Sequence, residues 1–166
     1  MSAGMALSGC GFQPVYMPTA SGKAGVAQRD LAAVRVALLP DRPGQLLRQA
    51  LQARFERAGN GVAQRYDLIV GFQVSGDALA IQPDSTATRV RLIGSANWTL
   101  AAQDPARTRL TSGSARAVDG YNVLGAQYFA ADMENETVQR RLAEALADQI
   151  TIQLAAYFQE QAAKTG

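Results

Sequence analysis

The sequence predicts an α+β fold: a two-layer sandwich whose four-stranded, mainly antiparallel sheet carries two helices on one face, in the order β-α-β-β-β-α. Three observations predict it. Apolar residues recur every four positions in two stretches, which is the spacing of a one-sided helix. They alternate with polar residues in the stretches between, which is the spacing of half-buried strands. The alternating stretches follow one another across short connections, as strands of a meander do, so both helices can close one face of a single sheet.

Val34 to Leu39 is a short apolar run stopped by Pro40, a buried strand. Asp41-Arg42-Pro43 opens a helix, with an acid at its start and proline near its first position. Leu47, Leu51 and Phe55 form its apolar stripe, and Gly59-Asn60-Gly61 ends it with residues that tolerate positive φ. Tyr66, Leu68, Val70, Phe72 and Val74 then share one face of a strand. A second strand, from Thr86 to Leu100, puts Val90, Leu92, Ala96, Trp98 and Leu100 on one side and Arg89, Arg91, Ser95, Asn97 and Thr99 on the other. Gln103-Asp104-Pro105-Ala106 turns the chain into a third, more polar strand from Thr108 to Tyr121. The last element is a helix from Asp132 to Ala162, with Val138, Leu142, Leu146, Ile150, Leu154 and Phe158 as its buried stripe. Asp132, Glu134 and Glu136 are expected in its first turns, where negative charge suits the positive end of the helix dipole.

Residues 34–162 thus form one domain, and 166 residues are too few for two comfortable ones. Histidine is absent, which removes the commonest general base and metal ligand, and a single cysteine closes neither a disulfide nor a zinc site. No phosphate-binding glycine loop, dinucleotide fingerprint or C-x-x-C occurs. Asp67, Asp77, Asp84, Asp104 and Asp119 scatter over strands and turns, where local capping accounts for turn aspartates. The expectation is a protein that is not an enzyme and uses no cofactor or metal. A net charge of +2 and the lack of an RNA-binding signature argue against a nucleic-acid partner. No apolar run is long enough to span a bilayer.

Charge is nevertheless segregated. Between Asp84 and Val118 lie Arg89, Arg91, Arg107, Arg109 and Arg116 against two aspartates, while between Asp132 and Asp148 five carboxylates face Arg140 and Arg141. One side of the molecule should therefore present a positive field. Arg89 and Arg91 share a strand face about 7 Å apart. Such a pair suits a phosphate or a sugar acid, or else is a solvated face that resists edge aggregation.

The amino-terminal stretch carries a different signal. Leu7-Ser8-Gly9-Cys10 fits the bacterial lipobox, an aliphatic residue and two small ones before a cysteine whose thiolate takes a diacylglyceryl group. Two or three acyl chains would make a stable anchor; the alternative is an unreactive lone thiol. Nine residues precede Cys10 without Lys or Arg, so residues 1–9 are expected as a remnant of a lipoprotein signal peptide. Residues 10–33, rich in Pro, Gly, Ser and Ala, read as the lipidated cysteine and a flexible tether.

Together, "LSGCGFQPVY", "LPDRPGQLLRQAL" at the first helix and "YNVLGAQYFA" ahead of the terminal helix resemble the LPS-assembly lipoprotein family (LptE-like), in its alphaproteobacterial form, from Leu7 to about Leu154. The resemblance implies the same two-helix, four-strand sandwich. It implies an outer-membrane lipoprotein, lipid-anchored at Cys10 on the periplasmic side, that plugs an LptD-like β-barrel translocon delivering lipopolysaccharide to the cell surface. Gly11, in place of the aspartate that retains lipoproteins in the inner membrane of enteric bacteria, agrees with that location. In such a protein Arg89, Arg91, Arg109 and Arg116 would face lipopolysaccharide phosphates or acidic sugars, an assignment that rests on the charge pattern. An auxiliary lipoprotein of an ABC-type lipid transporter is the alternative reading.

Overall fold

The computed structural model describes residues 25–58, 61–81, 87–122 and 128–165. They form α1 (Val26–Ala32), β1 (Val34–Val36), α2 (Arg42–Ala58), β2 (Tyr66–Ile81), β3 (Ala87–Ala102), β4 (Arg109–Asn122) and α3 (Tyr128–Thr165). The sheet order is β1-β2-β3-β4. β2, β3 and β4 make the expected antiparallel meander, whereas β1 lies parallel to β2, with Arg35 opposite Asp67. The parallel pairing follows from α2, which carries the chain back across the sheet before β2 begins.

The α+β class stands, with one element more than the sequence suggested. Val26–Ala32, expected as the end of the flexible tether, is a helix whose Ala27 and Leu31 are buried. Seven residues cannot hold a helix in water; α1 persists because those two side chains, one turn apart, dock against α3 and α2. The folded part accordingly begins before Val34.

The core lies between the helices and one face of the sheet. Leu68, Trp98 and Leu100 from the strands meet Leu47, Leu51 and Phe55 of α2 and the whole stripe from Val138 to Phe158 of α3. The terminal helix starts at Tyr128, so Asp132, Glu134 and Glu136 fall beyond its first turn and the dipole is not their partner. Glu136 instead accepts from Arg42 at 2.6 Å, and Asp148 from Arg54 at 2.6 Å. Both partners advance by twelve residues, so α2 and α3 run in the same direction, basic flank against acidic flank.

β4 is an edge strand, and α3 seals its middle. Gln149 accepts from the Arg116 N–H and donates to the Arg116 carbonyl, while Gln153 donates to the Ser114 carbonyl and accepts from the Trp98 indole. Backbone groups that would invite another strand are satisfied from within the chain. The Trp98 ring reaches this bond by crossing Gly113, its neighbour in the β3–β4 register.

Candidate ligand-binding face

Because side chains alternate along a strand, burying Leu68, Leu92, Trp98 and Leu100 sends their neighbours to the opposite face. No helix covers that face among the described residues, and Ile69 and Val118 remain about half exposed on it. Arg89, Arg91, Arg109 and Arg116 all lie there. Arg35 and Arg107 join them, so six arginines share the face with Asp67 and Asp77 among the described side chains. A positive field over this surface follows from the count.

The four expected arginines are not one cluster. Arg89 and Arg91 sit at one end of β3, opposite Asn122 and Gly120; Arg116 lies opposite Ser95, and Arg109 opposite Ala101 at the other end. Ten residues of strand separate Arg91 from the Arg109 row, about 33 Å. Arg91 spends one amino group on Asp77 at 2.9 Å, and its Nε has no hydrogen-bond partner. Arg109 is steadied by donating to Ser112 Oγ. Cys10 lies outside the described residues.

Sequence reasoning missed a group built around Asp67, which is 6% exposed although it belongs to the open face. Asp67 Oδ1 accepts from Arg35 Nε at 2.7 Å and from Gln103 Nε2 at 2.9 Å, and Arg107 stands 4.0 Å from Oδ2. The Arg35 hydrogen bond holds the Asp67 carboxyl below the usual carboxylate range, against the opposing pull of burial; the Arg35 guanidinium is raised in turn. The one sequence signal was an acid inside an otherwise apolar strand start, "YDLIV". Asp104 behaves as capping requires: it accepts from Thr108 N and Thr108 Oγ1, and those bonds lower its pKa.

Between these ends the open face is recessed. Gly71 contributes no side chain to β2, leaving a depression of about 530 Å³ bordered by Ile69, Asn97, Thr99, Arg109 and Ser114.

The family model for lipopolysaccharide assembly, LptE, matches residues 31–154, from α1 to the last third of α3. The chain belongs to the LptE family. Its role is therefore in lipopolysaccharide assembly. The fold recurs among solved lipoproteins. A candidate lipoprotein from Caulobacter crescentus is similar over 80% of this chain and 95% of its own, at 20% identity and a TM-score of 0.66. A minor lipoprotein from Acinetobacter baumannii (18% identity, 74% and 88% covered, TM-score 0.52) and rare lipoprotein B from Shewanella oneidensis (16%, 74% and 92%, 0.53) share the fold. No curated protein matches the chain. Among the described residues no helix of this LptE-family chain is long and apolar enough to cross a membrane.

Proposed function

We propose that this LptE-family chain is an outer-membrane lipoprotein, anchored through acyl groups on Cys10, that plugs an LptD-like β-barrel and binds lipopolysaccharide on its open sheet face. The role is non-enzymatic: the sandwich fills and stabilises the barrel, and the basic face loosens lipopolysaccharide aggregates as they arrive. The observation that carries this reading is, among the described residues, six arginines against two aspartates on a face that no helix covers. Arginine forks suit phosphates and sugar carboxylates. Ser95, Asn97 and Thr99 on the same face suit the polar lumen of a barrel.

The test is lipopolysaccharide binding by the double variant Arg89→Glu, Arg91→Glu. Affinity should fall by roughly tenfold or more, since each substitution replaces a charged donor with a repelling acid. Trp98 fluorescence should stay as in the parent, because both positions lie on the face away from the indole. Unchanged affinity with an intact fold overturns the ligand reading. Co-purification from detergent-extracted outer membranes tests the barrel: a heat-modifiable β-barrel partner supports the plug, and recovery with an inner-membrane ATPase complex overturns it.

A further inference from the structure

The recess at Gly71 has the make-up of a binding subsite. Its floor is backbone, already paired between β2, β3 and β4, so it offers no free edge to an extended peptide. What it offers is side chains of two kinds. Asn97, Thr99 and Ser114 supply an amide and two hydroxyls that both donate and accept, as a polyhydroxylated ligand requires. Ile69, 47% exposed, supplies a small apolar patch for the C–H face of a ring.

The charge at the rim adds the rest. The Arg109 guanidinium, held by Ser112 Oγ, borders the recess, and among the described residues no carboxylate lines it. One side-chain step along β2 from Ile69, about 7 Å, Asp67 gathers Arg35 and Arg107, two cations around a single anion. At the far end of the sheet, by contrast, Asp77 already compensates Arg91.

We infer that the recess around Gly71, with Arg109 at its rim, is a subsite for one anionic sugar, a ring bearing a phosphate or carboxylate. This rests on the ligand-binding reading above and narrows it to one place on the face and one part of the ligand. The ring lies over Ile69 and Gly71, its hydroxyls exchange hydrogen bonds with Asn97, Thr99 and Ser114, and its acid group meets Arg109. Arg89 and Arg91 serve as a peripheral field.

The test is an NMR titration of the isotope-labelled full chain with glucosamine 1-phosphate, alongside glucosamine and inorganic phosphate separately. Saturable shifts should centre on the amides of Gly71, Asn97 and Ser114, and each half-ligand should bind about tenfold more weakly than the whole. Gly71→Val is a clean variant. A Cβ there finds its nearest neighbour, the Asn97 carbonyl, at 3.9 Å, an ordinary contact, and valine favours strands. Filling the recess in this way should weaken sugar-phosphate binding by about tenfold or more, as should Arg109→Gln. Arg57→Gln, in the last turn of α2 on the other side of the sheet, should change it by less than about twofold, because screening removes most of its distant field. Undiminished binding by Gly71→Val, or shifts centred on Arg89 and Arg91, overturns the inference.

Vesicles carrying phosphorylated lipid A, run with the same variants, separate a lipid headgroup from a free sugar phosphate. If vesicle binding survives Gly71→Val and fails only in the Arg89→Glu, Arg91→Glu protein, the recess inference falls and the proposed function stands. If the sugar phosphate fills the recess while the unmodified chain ignores the vesicles, the lipopolysaccharide reading falls and the recess remains. If Gly71→Val abolishes co-purification with the barrel and no sugar phosphate binds, the recess is a protein contact and the inference is overturned.

Discussion

Valine in place of Gly113 is expected to destabilise the fold by about 3 kcal/mol, lowering the thermal midpoint by roughly 6–12 °C. A Cβ at position 113 would lie 2.6 Å from Trp98 Cζ2 and 2.8 Å from Gln153 Oε1. Neither atom can yield cheaply. The Trp98 ring is packed in the core, 4% exposed, and Gln153 Oε1 is the acceptor of the indole N–H. The substitution therefore combines overpacking with the loss of a hydrogen bond that also ties α3 to β4 through the Ser114 carbonyl. Thermal unfolding followed by the fluorescence of Trp98, the sole tryptophan, reports both the midpoint and the displacement of the ring. An unchanged midpoint would mean that the indole leaves its site without cost and that the crossing over Gly113 is not what holds β4 to the helix layer.

The second large effect is expected at Asp67. Asn in its place keeps the shape but removes the charge that Arg35 Nε and Arg107 face. Those two guanidiniums keep half or more of their side chains in water. The cost at neutral pH is then at the low end for a charged hydrogen bond, about 1–2 kcal/mol. The pH dependence follows from the sign of the shift. The folded-state pKa of Asp67 is below the unfolded value, so its contribution is fully present above about pH 4 and is lost as pH falls through the lower folded value. Asp104 and Glu136, lowered by Thr108 and Arg42, act in the same direction. The parent protein should lose stability on acidification below about pH 4, and Asp67→Asn should lose less over the same interval. Parallel slopes for the two proteins would remove Asp67 from the account of acid sensitivity.

What the sequence made legible was whatever repeats. The alternation through Tyr66, Leu68, Val70 and the stripe from Val138 to Phe158 each occupy one buried face, because burial and periodicity are the same constraint seen twice. Placement of Arg89 and Arg91 on a common face follows from that parity alone, whereas Arg109, an odd seven residues before Arg116 on β4, joins that face only through the register irregularity at Leu110. Features made by single encounters between distant segments were not legible. Arg35 meets Asp67, 32 positions further along the chain, through a parallel register that no local pattern announces. α1 has two buried side chains in seven residues, too few to distinguish a docked helix from a linker. The recess at Gly71 is shaped by a side chain that is not there, next to strands whose register only the folded sheet reveals.

The four-residue rhythm of α3 leaves the axial position of the helix undetermined by its apolar contacts. Shifted by one turn, the stripe would superpose on itself, Leu142 taking the place of Leu146. Shifted one way, Arg140 would meet Arg42 and the move is repelled; shifted the other way, Asp132 and Glu144 would replace Glu136 and Asp148 opposite Arg42 and Arg54, and the move is permitted. What forbids it lies on the other flank. Arg141 pairs with Asp119 at 2.7 Å and Gln149 clasps the Arg116 backbone, and the permitted slide would put Thr137 and Ala145 in their places. Two polar clasps on an edge strand are thus the detents of a helix that greasy packing alone would let ratchet.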